Sequence, residues 1–146
     1  MLFPETGYGG LQRSRNLLKV LSKYHDIQLV CYYRNEDKKF VPDIQLAIND
    51  LKYYCKNVYV IPHELNSAQK AFRLLKSVVT RTPYSANIYR SQQLLKKSLK
   101  LISDKSVDLI HSDTIGMIEP ILSRINIIKV LTHHDVESHK MHRRFE

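Results

Sequence analysis

The groups best suited to chemistry crowd into one segment. Lys129-Val130-Leu131-Thr132-His133-His134-Asp135-Val136-Glu137-Ser138 passes from an apolar run straight into two histidines and two carboxylates. Such a run reads as a buried strand, and in a parallel α/β sheet ligands bind beyond the carboxyl ends of the strands. A histidine there can act as acid, base or hydrogen-bond donor to a sugar or a phosphate. A metal fits less well. His139 and His142 can share a helix face, but HExxH is absent and neither cysteine is near. The plainer reading is surface histidines beyond a strand end.

Two further constellations carry the same kind of signal. Asp108-Leu109-Ile110-His111-Ser112-Asp113 is an apolar strand ending in His and Asp, with Asp113 either a site residue or the cap of a following helix. Gly7-Tyr8-Gly9-Gly10-Leu11-Gln12-Arg13 places glycines where a helix begins. Backbone N–H groups can approach an anion closely there, favoured by the helix dipole. The run is neither GxGxxG nor a P-loop, and a plain loop explains it equally well.

Elements must position these groups. A stripe of Leu17, Leu18 and Leu21 predicts a helix over 11–24, with Arg13, Arg15, Lys19 and Lys23 mostly off the stripe. Residues 27–33, rich in Ile, Val and Tyr, predict a buried strand, and 34–42 a charged loop. Asp43 can cap a helix to about Cys55 with Ile44, Ala47, Ile48 and Leu51 inward. A short strand follows over 58–61. Residues 67–80 form an amphipathic helix pattern, broken at Thr82-Pro83-Tyr84 and resumed over 85–103. The remaining pattern is strand 107–111, helix 115–124, strand 127–131 and a polar, helix-like stretch from Val136.

Strands thus alternate with helices over short connections. That predicts an α/β fold, a Rossmann-like parallel sheet with helices on both faces. A glycine-rich turn opening a helix should follow a strand, but only Met1-Leu2-Phe3 precede Pro4, so the first strand is missing or reduced. No repeat, low-complexity segment or linker divides residues 1–146, which read as a single domain.

Composition narrows the classes. The net charge is +9, and from Leu65 to Ser103 there is no Asp or Glu, against Lys70, Arg73, Lys76, Arg81, Arg90, Lys96, Lys97 and Lys100. Such a field attracts phosphorylated substrates, anionic lipid headgroups or nucleic acid, or is simply a solvated helix face. Nucleic acid is disfavoured: no RNP, zinc-finger or helix-turn-helix pattern is present, and exposed aromatics do not interleave the cations. No apolar run reaches the ~18–20 residues of a membrane span. The start, MLFPETGYGG, lacks a signal peptide's charged and apolar regions, which predicts a cytoplasmic protein. Cys31 and Cys55 form no CxxC pair and read as reduced core thiols.

Taken in order, these pieces resemble a known family. They are Gly9-Gly10-Leu11-Gln12-Arg13 with Asn16-Leu17-Leu18-Lys19-Val20-Leu21-Ser22-Lys23, the Pro83-Tyr84 break, Asp108-Leu109-Ile110-His111, and Val130 to Ser138 with Arg143 beyond. The chain resembles the N-terminal, acceptor-side lobe of a family 4 glycosyltransferase with the GT-B fold, over almost its whole length. The resemblance implies transfer of a sugar from a nucleotide diphosphate sugar to an envelope, lipid-linked or polysaccharide acceptor, with retention and without a metal or other cofactor. It implies that Gly9, Gly10 and Arg13 face the donor diphosphate and acceptor. It gives His134, in Thr132-His133-His134, a hydrogen bond to the donor sugar. Asp113, His133, Asp135 and Glu137 join them as substrate-binding candidates. The family's second, donor-binding domain has no counterpart in residues 1–146, so the chain alone is expected to be inactive and, without a first strand, marginally stable. The basic helices over 67–100 are expected to face an anionic acceptor or the inner membrane surface. The alternative is a non-enzymatic α/β module that binds an anion or a nucleotide.

Overall fold

A computed structural model describes residues 9–39, 41–82, 84–104, 107–113 and 125–132. Helix α1 spans Gly9–Leu21, strand β1 Gln28–Tyr33, α2 Ile44–Leu51, β2 Asn57–Pro62 and α3 Ser67–Thr80. Then come α4 (Tyr84–Ile88), α5 (Gln92–Ser103), β3 (Leu109–Ser112) and β4 (Ile128–Leu131). The chain is mixed α/β and divides into two compact units: Met1–Ser67 with Ser91–Val107, and Ala68–Arg90 with Asp108–Glu146.

The first unit is built on the parallel pair β1–β2, in register from Gln28 opposite Asn57 to Tyr33 opposite Pro62. Its core is Cys31, Val41 and Leu51, joined by Leu18 of α1 and by Ile44, Ala47 and Ile48 of α2. These are the inward positions that the helical spacing predicts. Asp43 caps α2 as expected: its carboxylate accepts from the N–H groups of Gln45 and Leu46 at 2.9 and 3.1 Å. Helix α5 lies against β1 and buries Leu94 and Leu101.

The charged stretch after β1 is more ordered than a loop. Residues Asn35–Lys39 form a 3-10 helix. Asp37, buried, accepts from the backbone N–H of Arg34 at 2.8 Å and from its guanidinium at 3.0 and 3.3 Å. The bidentate pair fixes the turn, and Tyr33 closes it by donating its hydroxyl to the carbonyl of Val41 at 2.9 Å.

The second unit holds the parallel pair β3–β4, in register from Leu109 opposite Ile128 to Ser112 opposite Leu131. The described strands therefore form two separate two-stranded parallel sheets. Parallel pairing across a crossover agrees with the alternating pattern of the sequence. The predicted helix over 115–124 and the stretch from Val136 lie outside the described residues.

The predicted helix over 85–103 is two helices. Helix α4 ends at Ile88, and Ser91 opens α5 by accepting from the N–H of Leu94 at 3.3 Å. The stop has a tertiary cause. Arg73 of α3 donates from Nη1 to the carbonyls of Asn87, Ile88 and Arg90 at 2.7, 3.0 and 2.9 Å, taking the oxygens that a continuing helix would use. Helix α3 ends as the sequence predicts. Arg81 takes a left-handed φ of 52°, with Arg81 N–H on Val78 O and Thr82 N–H on Ser77 O at 3.3 and 3.1 Å. That is the Schellman arrangement, here without its usual glycine.

Candidate functional site

The parallel pairing of β3 and β4 brings two polar strand ends to one sheet edge. Thr132, the first residue beyond β4, donates its N–H to the carbonyl of Ser112 at 2.9 Å, extending the ladder by one rung. Its hydroxyl stands 2.8 Å from Nε2 of His111, and both side chains are part-buried. The contact fixes the imidazole's plane. When the hydroxyl donates, Nδ1 carries the proton; when Nε2 donates, Nδ1 is left as an acceptor. Asp113 follows directly, half-buried, at the end of β3. One edge thus gathers an imidazole, two hydroxyls and a carboxylate from His111, Ser112, Asp113 and Thr132.

His111 and Thr132 are the pair that sequence reasoning missed as partners. Each was visible as a polar residue closing an apolar strand. Their meeting depends on strand register, which local pattern does not encode. His133, His134, Asp135 and Glu137 lie outside the described residues, as do His139 and His142.

The glycine-rich candidate belongs to the other unit. Helix α1 begins at Gly9, so Gly9 and Gly10 occupy its first turn instead of preceding it. The first four N–H groups of a helix have no intrahelical acceptor, and that is the property an anion site uses. Arg13, exposed on the next turn, lines a shallow groove along α1 with Gln12, Asn16, Leu17 and Val20.

The cations of the acid-free stretch are divided between the two units. Helices α3 and α4 fall in one unit and α5 in the other. Arg73 is engaged by three carbonyls. Lys97 of α5 sits 3.5 Å from the ring centroid of Tyr59, a cation–π contact inside its own unit. Neither side chain presents a bare charge to an anion.

The cysteines are core residues and poor nucleophiles. Both are free and buried. Burial pushes both thiols up, Cys55 to about 11 with the neighbouring Cys31 adding to the rise, so each stays protonated at neutral pH. Among the described residues no group of three His, Cys, Asp or Glu side chains could hold a metal ion, and no helix is long and apolar enough to cross a membrane. No family model matches the chain, and no curated protein and no solved structure matches it.

Proposed function

We propose that the chain is the acceptor-side lobe of a GT-B glycosyltransferase of family 4 type, Rossmann-like in its full sheet. It would transfer a sugar with retention from a nucleotide diphosphate sugar to an envelope, lipid-linked or polysaccharide acceptor. The observation that carries the reading is the β3–β4 edge. A parallel pair delivers His111 and Thr132 to one place, 2.8 Å apart, and Thr132-His133-His134-Asp135 runs on from there. In parallel α/β sheets ligands bind beyond the carboxyl ends of the strands.

Within this reading His134 hydrogen-bonds the donor sugar. His111 and Thr132 brace the strand end from which the His134 segment departs. Asp113, His133, Asp135 and Glu137 offer acceptors to sugar hydroxyls, and Gly9, Gly10 and Arg13 receive phosphate charge. No metal takes part, and the work is cytoplasmic. The donor diphosphate needs a second lobe, so residues 1–146 alone turn over no nucleotide sugar.

The test is a titration of the histidine-labelled chain with nucleotide diphosphate sugars and oligosaccharide acceptors, followed by NMR. Shifts at His111, His133 and His134 that vanish in His134→Ala support the proposal. Histidine signals unmoved by every sugar ligand would sink it. Equal shifts with a sugar-free nucleoside diphosphate favour the non-enzymatic anion-binding module instead.

A further inference from the structure

Helix α3 is packed inside out. At ~100° per residue, Leu74, Val78, Ala71, Leu75, Ala68, Val79 and Phe72 occupy one arc of about 160°. A helix of a water-soluble unit buries such an arc and turns its polar side to solvent. Here Phe72, Leu74, Leu75, Val78 and Val79 are between 52% and 74% exposed. The buried side is the polar one. Ser77 is 6% exposed and donates to the carbonyl of Arg73 at 2.8 Å. Asn87 of α4, also buried, donates to the hydroxyls of Ser77 and Thr82 at 2.8 and 2.7 Å. Arg73, opposite the centre of the apolar arc, reaches the α4 carbonyls. The polar face is therefore held by a specific network, and this fixes the apolar face outward.

The charges say what that face suits. Lys70 and Lys76 stand about 40° beyond the two borders of the arc, one on each side. Both are exposed, as is Arg81 at the helix end. Residues 67–90 carry Lys70, Arg73, Lys76, Arg81 and Arg90 and no acidic residue. A second copy docked through α3 would set lysine against lysine with no carboxylate on either helix to relieve it. An anionic bilayer meets both demands. The apolar arc enters the acyl boundary, and the bordering lysines extend to lipid phosphates while their stems cover the edge.

We propose that α3 is an interfacial helix that seats the protein on an anionic membrane surface. The inference does not depend on the glycosyltransferase reading, because it rests on the packing and charge of α3 alone.

The experiment is co-sedimentation of the full chain with phosphatidylcholine vesicles, with and without phosphatidylglycerol. Binding is expected only with the anionic lipid. Lys70→Gln with Lys76→Gln should weaken it about 30-fold, from ~1 kcal/mol per lysine at the surface. Phe72→Ser with Val79→Ser should weaken it at least as much. Both pairs are exposed, so circular dichroism should show unchanged helix content. Lys96→Gln with Lys100→Gln, an equal charge loss on α5, should leave binding within about threefold. Equal binding to both lipids would overturn the proposal. So would equal losses from the α3 and α5 lysine pairs, or a dimer dispersed by Phe72→Ser in a chain that ignores vesicles.

Discussion

Replacing Asn87 with leucine, a side chain of similar size, tests whether the polar face of α3 is a true interior. Asn87 is 7% exposed and donates two hydrogen bonds, at 2.8 Å to Ser77 and 2.7 Å to Thr82. A buried neutral hydrogen bond contributes about 1 kcal/mol net, so losing both costs ~2 kcal/mol. The hydroxyls left behind are only partly stranded. Ser77 still donates to Arg73 O, and Thr82 Oγ1 keeps its 2.7 Å contact with Thr80 Oγ1. The cost therefore stays at ~2 kcal/mol, below the larger penalty of wholly unsatisfied groups. The loss falls on one hairpin, so it should appear as local opening. Amide hydrogen exchange over 84–90, read by mass spectrometry, should accelerate about 30-fold, with β1 and β2 unchanged. Exchange within a factor of about three of the parent would refute the network's role, and with it the reason α3 shows its apolar face to solvent.

Three other perturbations give distinct readouts. Arg81 holds the left-handed φ of 52° that closes α3, so Arg81→Gly should stabilise the α3–α4 hairpin by about 1 kcal/mol, seen as slower exchange over the same residues. Asp37→Ala removes the buried carboxylate that Arg34 grips through its backbone N–H and its guanidinium, while Glu36 Oε1 stays 2.6 Å from Arg34 Nη1, so it should cost about 2 kcal/mol in urea unfolding. Cys55 is protonated in the folded chain up to about 11, against an ordinary 9.0. The folded state favours the neutral thiol, so this stabilisation is complete below pH 9.0 and is lost as pH rises toward about 11. Stability of the parent should fall more steeply over that window than stability of Cys55→Ala. Parallel slopes would show that Cys55 is not held in an apolar site.

What was legible in the sequence was local. The cap at Asp43, the inward face of α2 and the ends of α3 follow from spacing and side-chain chemistry within a few residues, and the structure has them where the pattern puts them. Amphipathicity marked α3 as a helix with two faces, but did not say which face is covered. The deciding groups, Asn87 and the carbonyls that Arg73 gathers, lie 14 to 17 residues away. The same contacts ended α4, where Tyr89-Arg90-Ser91 offers neither proline nor glycine to announce a break. The candidate site divides along that line too. Each strand end was readable as an apolar run closing on polar residues, whereas the approach of His111 to Thr132 required the register of β3 on β4. Chemistry in this chain is therefore written in residue types, but its assembly is set by pairing across a crossover. Thr132 shows both aspects: its N–H extends the ladder and its hydroxyl orients an imidazole. Thr132→Val would remove the second function while sparing the first, so a loss of ligand response in that variant would mark the hydroxyl as a positioning group for His111.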